Sequence, residues 1–138
     1  MNPAVRKPAL NLNVLAGKRI LAAEDDKMSM KLLTTIFNKW GIEYDIVENG
    51  TLAFELFEKR HYDIILTDIY MPGVGGISLT NMIRSYPDKA KASIPVLALT
   101  ANALTKDLEE YKAAGMNDHV VKPYTEENLF EKIENNLA

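Results

Sequence analysis

Residues able to do chemistry stand at the ends of short apolar runs. Glu24 and Asp25 follow RILAA (19–23), Asp68 follows DIILT (63–67), Thr100 follows IPVLAL (94–99), and Lys122 follows HVV (119–121). Such runs read as strands buried on both faces of a parallel sheet. In a doubly wound sheet the C-terminal strand ends share one edge, and ligands bind there. Three carboxylates, a hydroxyl and an ammonium would therefore meet. Clustered carboxylates repel and raise one another's pKa. Lys122 offsets part of that charge, and a hard divalent cation offsets more. Mg²⁺ takes one or two carboxylates, keeps several waters and contacts phosphates. An aspartate so placed is a candidate phosphoryl acceptor, forming an aspartyl-phosphate. The metal and Lys122 would neutralise charge on the transferring oxygens, and Thr100 would donate a hydrogen bond to the attached group.

The elements that must position these residues alternate. After RILAA, Met28, Leu32, Ile36 and Trp40 recur every four residues, widened by Leu33 and Phe37, which predicts a helix with that stripe in the core. Gly41 closes it. Tyr44–Val47 reads as a second strand. Thr51 can cap a second helix with Leu52, Ala53, Leu56 and Phe57 inward. The third strand leads through Tyr70–Gly76 into a helix carrying Ile77, Met82, Ile83 and Tyr86, broken at Pro87-Asp88. Lys89 and Lys91 read as a solvated loop. A fourth helix runs from beyond Thr100 to about Ala114, stopped by Gly115, and a fifth starts near Thr125 with Leu129, Ile133 and Leu137 on its buried line. The βαβαβαβαβα order implies a parallel sheet with helices on both faces and right-handed crossovers. Residues 1–16, with two prolines and no clear period, read as a leader or linker whose Leu12, Val14 and Leu15 can still pack on the domain. Regular structure is expected from Lys18, within a domain spanning residues 17–138.

Composition narrows the function classes. A chain of 138 residues is one domain's worth, and 47% hydrophobic with 25% charged residues is a globular balance. The chain has no cysteine, so disulfides, thiolate metal sites and thiol nucleophiles are excluded. A net charge of −3 argues against a general nucleic-acid binder. No apolar run reaches the roughly 18 residues of a membrane span. Prolines and asparagines interrupt the stretch after Arg6 and Lys7, so a signal peptide is rejected and the default location is the cytoplasm.

With RILAAEDD, YDIILTDIYMPGVGG, IPVLALTANA and GMNDHVVKPY in place, residues 18 to 137 resemble a response-regulator receiver domain. The resemblance implies a flavodoxin-like (βα)5 three-layer sandwich with strand order 2-1-3-4-5. It implies Asp68 as phospho-acceptor. Asp25 would hold Mg²⁺ directly and Glu24 through water, with the Tyr70 carbonyl as a further ligand. Thr100 becomes the switch hydroxyl, Lys122 the phosphoryl-contacting lysine, and Lys122-Pro123 a frequent cis bond. The first acid is Glu24 where Asp is commoner. The aromatic switch position falls on His119, read as a partly buried packing residue rather than a metal ligand. Tyr70 and Asn102 occupy positions that tune dephosphorylation, and a bulky Tyr70 would slow attacking water. Implied partners are a sensor histidine kinase and a histidine phosphotransfer protein, with no direct nucleic acid or membrane contact. The signalling surface would be the fourth helix, fifth strand and fifth helix, and a weak homodimer through that helix is compatible. The segments 15–21 and 98–103 resemble receivers of hybrid sensor histidine kinases. A stand-alone response regulator is the alternative context. As an isolated domain it would catalyse only its own phosphorylation and dephosphorylation.

Singly, each residue has a plainer reading: Asp25 or Asp26 as a helix cap, Asp68 as a turn residue, Lys122 as a solvated lysine. Their joint placement on four strand ends favours the chemical one. A haloacid-dehalogenase-type phosphatase would need a carboxylate two residues after Asp68, where Tyr70 stands. A nucleotide or flavin site would need glycines where Glu24-Asp25-Asp26 stand. A receiver-like docking module that takes no phosphoryl group is disfavoured because every chemical position is filled.

Overall fold

The computed structural model describes residues 10–137, so most of the expected leader (1–9) and Ala138 lie outside the described residues. Five strands form one parallel sheet: β1 (Arg19–Ala23), β2 (Glu43–Val47), β3 (Ile64–Asp68), β4 (Val96–Thr100) and β5 (Asp118–Val121). They lie in the order β2-β1-β3-β4-β5, as the resemblance implies. The helices are α1 (Lys27–Trp40), α2 (Gly50–Lys59), α3 (Gly76–Arg84), α4 (Lys89–Ala92), α5 (Thr105–Ala114) and α6 (Glu126–Asn136). The expected signalling surface is therefore α5-β5-α6 in these labels.

Strand side chains alternate between two cores. Ile20, Ala22, Ile64, Leu66, Leu97 and Leu99 face α1 and α6, where Phe37, Trp40, Leu129 and Ile133 meet them. Leu21, Ala23, Ile65, Val96 and Ala98 face α2, α3 and α5, against Phe57, Leu79, Ile83 and Tyr111. A 3₁₀ turn, Leu12–Leu15, precedes β1, so regular structure begins before Lys18. Its Leu15 is buried in the first core, and Leu12 and Val14 pack on the same core as expected.

The apolar stripe of α1 is rotated from the sequence expectation. Met28 is 82% exposed and Leu32 45%, whereas Leu33, Ile36, Phe37 and Trp40 are buried. A strict four-residue spacing drifts round a helix of 3.6 residues per turn, so its first members leave the core face. Asp26 caps α1 by accepting from the Ser29 N–H at 2.9 Å, and Gly41 ends it with φ 68°. Asn49 rather than Thr51 caps α2, accepting from the Leu52 N–H, and Leu52 faces outward at its first turn. On α3, Leu79 is buried although it is absent from the expected face, while Met82 lies at the exposed margin. Residues 89–92, expected as loop, form α4 with Asp88 as its cap. One turn is too short to show a period.

Arg84, at the end of α3, fastens the sheet edge opposite the strand C-termini. Its guanidinium donates to the carbonyls of Gly115, Ala92 and Ile94 and to Asn117 Oδ1. Asn117 Oδ1 also accepts from the Val96 N–H.

The rotated stripe separates two neighbouring leucines. Leu33→Ala should cost about 2–5 kcal/mol by cavity creation, and Leu32→Ala under about 1 kcal/mol. Urea unfolding midpoints of the two variants check this.

Candidate functional site

Parallel pairing sets which residues meet at the C-terminal edge. Ala23 is level with Thr67, so the next residues, Glu24 and Asp68, are level with each other. Asp68 is paired with Leu99, which puts Thr100 one step further on. Thr100 is paired with Val121, and the Lys122 N–H donates to the Thr100 carbonyl at 2.8 Å. Four strand ends thus deliver Glu24 with Asp25, Asp68, Thr100 and Lys122 to one place.

Carboxylate oxygens of Glu24, Asp25 and Asp68 lie within 4.8 Å of one another. Glu24 is fully buried, Asp68 is partly buried and Asp25 is exposed. Lys122 Nζ donates to Glu24 Oε2 at 2.7 Å and lies 3.4 Å from Asp68 Oδ2. Glu24 Oε1 accepts from the Asp26 N–H at 3.2 Å, and Asp68 Oδ1 accepts from the Ile69 N–H at 2.9 Å. Burial pushes the Glu24 carboxyl above its ordinary value, and the charge of Asp68 adds to this while Lys122 opposes it. Burial would lower the Lys122 ammonium, but Glu24 and Asp68 outweigh it and hold the pKa above normal. The lysine therefore stays charged, and the edge remains rich in anionic oxygens.

The loop after β3 doubles back beneath Asp68. The Gly76 N–H donates to the Ile69 carbonyl at 2.9 Å. A Cβ at Gly76 would fall on the Asp68 carbonyl oxygen, so glycine permits this close approach. Tyr70, in that loop, is 68% exposed.

Thr100 is buried and already engaged. Its Oγ1 accepts from the Asn102 N–H at 2.9 Å, is 3.1 Å from the Asn102 carbonyl and 2.9 Å from Tyr111 Oη. The sequence does not single out Tyr111. Its spacing from Leu104 and Leu108 signals a helix face, but no sequence feature ties its phenol to Thr100. Burial raises the Tyr111 pKa, keeping the phenol protonated. His119 is partly buried, as expected of it, with Nδ1 3.7 Å from Asp118 Oδ1. His61 is exposed, and Lys122-Pro123 is cis as expected.

The response regulator receiver domain model matches residues 20–134. Transcription factor SKN7 of Saccharomyces cerevisiae is 35% identical over 113 residues, covering 82% of this chain and 18% of that protein. Hybrid signal transduction histidine kinase I of Dictyostelium discoideum is 33% identical over 126 residues, covering 88% of this chain and 7% of that protein. The chain thus spans less than a fifth of either relative's own length. Among solved structures, the receiver domain of sensor histidine kinase PA1611 from Pseudomonas aeruginosa has a magnesium ion coordinated in its active site cleft. It matches with a TM-score of 0.79 and 32% identity, over 87% of this chain and 97% of that one. Chemotaxis protein CheY4 of Vibrio cholerae shares the fold, with a TM-score of 0.80 and 24% identity over 87% of this chain and 98% of that one.

The Glu24–Lys122 pair carries a pH signature. Lys122→Met would leave a buried carboxylate unpaired and cost about 3 kcal/mol at neutral pH. Loss of the ammonium raises the folded-state pKa of Glu24 further, so the folded variant binds its proton more tightly than the unfolded chain. The deficit should therefore shrink as pH falls from neutrality toward the ordinary glutamate value of 4.5. Urea unfolding of both proteins across that window reads it.

Proposed function

The chain belongs to the response regulator receiver domain family, and we propose that it acts as a phosphorelay receiver with Asp68 as phospho-acceptor. The observation that carries this is the meeting of three carboxylates within 4.8 Å, with the Lys122 ammonium on two of them. Asp25, Asp68 and the Tyr70 carbonyl would hold Mg²⁺, with Glu24 acting through water; the three-carboxylate oxygen donor set suits a hard cation. Bound Mg²⁺ supplies positive charge against the carboxylates and the phosphoryl oxygens.

This chain's own groups do the rest. An Asp68 oxygen attacks phosphorus; the new P–O bond forms as the P–N bond of a phosphohistidine donor breaks, and the imidazole leaves with the bonding pair. Lys122, already 3.4 Å from Asp68 Oδ2, offsets charge on the transferred group. Thr100 turns its hydroxyl proton toward the phosphoryl group. The added charge of about −1.5 to −2 biases the loop after β4 and the α5-β5-α6 surface toward a second arrangement. A partner then reads that surface, or a histidine phosphotransfer protein takes the phosphoryl group onward.

Similarity to hybrid histidine kinases supports residues 17–138 as the receiver of such a chain, in the cytoplasm beside its kinase. Among the described residues no helix is long and apolar enough to cross a membrane. No observation favours the phosphatase reading, since an exposed tyrosine stands where its acid–base would be.

Intact-protein mass after incubation with acetyl phosphate should show one phosphoryl adduct. It should require Mg²⁺ and be absent in Asp68→Asn; an unlabelled wild type, beside a receiver that labels, overturns the reading. Mg²⁺ at 100 times its dissociation constant should stabilise the fold by about 2.7 kcal/mol, and Asp25→Asn should abolish this in thermal melts.

A further inference from the structure

We propose that Tyr111 is a positioning residue that holds the Thr100 hydroxyl at rest and exchanges hydrogen-bond partners when Thr100 engages a phosphoryl group on Asp68. The inference rests on the receiver reading of Asp68 and Thr100 given above.

Two hydroxyls and one carbonyl form a closed triangle. Tyr111 Oη lies 2.9 Å from Thr100 Oγ1 and 2.9 Å from the Asn102 carbonyl, and Thr100 Oγ1 lies 3.1 Å from that same carbonyl. Each hydroxyl has one proton. If Tyr111 donates to Asn102, Thr100 donates to Tyr111 or to the same carbonyl, whose two lone pairs can take both protons. If Tyr111 donates to Thr100, Thr100 donates to Asn102. In every arrangement the Thr100 proton is committed. The Asn102 N–H occupies another side of Oγ1 at 2.9 Å.

A phosphoryl oxygen accepts only, so contact with it requires that proton. When Thr100 turns, its oxygen remains an acceptor and takes the Tyr111 proton. The Asn102 carbonyl then loses both hydroxyl donors, releasing the turn between β4 and α5. Tyr111 is 4% exposed and is the buried residue of α5. The helix has no side-chain cap at its start. The Tyr111 ring and the partly buried Leu108 seat the helix on the core, and a change of partner at the phenol is felt along α5.

The β5 aromatic position does not make this contact. Among the described residues no hydrogen bond joins His119 to Thr100, and its ring lies beside Asp118 instead. A cavity of about 490 Å³ opens between α5 and β5, lined by Leu108, Tyr111, Met116 and His119 among others, leaving room for the helix to shift. In this chain the ring whose hydroxyl meets Thr100 stands on α5.

The test is a thermodynamic cycle read with beryllofluoride, a phosphoryl mimic, in saturating Mg²⁺. Backbone amide NMR gives its affinity for wild type, Tyr111→Phe, Thr100→Ala and the double variant, and the same spectra report folding. Tyr111→Phe keeps the ring and removes the phenol's part of the restraint, leaving Thr100 only its longer 3.1 Å contact with the Asn102 carbonyl, so it should bind about fivefold more tightly than wild type. In the Thr100→Ala background the same substitution should change nothing. Wild-type or weaker affinity in Tyr111→Phe overturns the proposal, as does an equal gain in both backgrounds, which marks a general packing effect. Failure of wild type to bind beryllofluoride overturns the receiver reading along with it.

Discussion

The mutual repulsion of carboxylates at one sheet edge is the constraint on which the rest depends. Glu24 is fully buried with Asp68 and Asp25 close by, and the ammonium that answers them comes from the far strand. Lys122 reaches Glu24 because β5 is paired to β4 in a register that ends at Thr100 and Val121. Removing charges from water costs more than a single pair returns unless the geometry is good. Stability is drawn mainly from the two apolar cores behind the pair.

The two edges of the sheet are held in different ways. At the N-terminal edge, Arg84 ties α3 to three carbonyls in two separate segments, Ala92 and Ile94 before β4 and Gly115 before β5. Those bonds are multiple and partly buried, so that edge is stiff. At the C-terminal edge Lys122 joins Glu24 and Asp68, while beyond β4 one hydroxyl triangle links Thr100, Asn102 and Tyr111. Local openings occur where buried contacts are few. On the receiver reading proposed above, a charge added at Asp68 would act through that triangle and alter a surface without unfolding the domain.

Much of this is legible in the residues. Apolar runs of strand length, each closed by a residue of definite chemistry, tell both the element type and the shared edge, because a parallel sheet turns sequence position into spatial level. Gly41 and Gly115 mark helix ends for a local reason: each takes a backbone conformation that side chains disfavour. The family is legible too, in four motifs carried on independent strand ends.

Other features depend on distant partners that no local pattern encodes. The expected α1 stripe fails at Met28 and Leu32 because spacing gives a helix face only to within a turn, and the neighbour decides which side is dry. The single turn of α4 has no period to read. Tyr111 looks like any apolar residue of a mixed helix; its phenol gains meaning when α5 packs across β4 and sets Oη 2.9 Å from Thr100. By itself the sequence determined the alternating elements, the shared edge and the chemical types placed there, since these follow from local propensity and strand direction. Only the tertiary structure decided that Lys122 pairs first with Glu24, which side of α1 is buried, and which aromatic touches the Thr100 hydroxyl. Those are contacts between segments far apart in the chain, where packing and desolvation outweigh local preference.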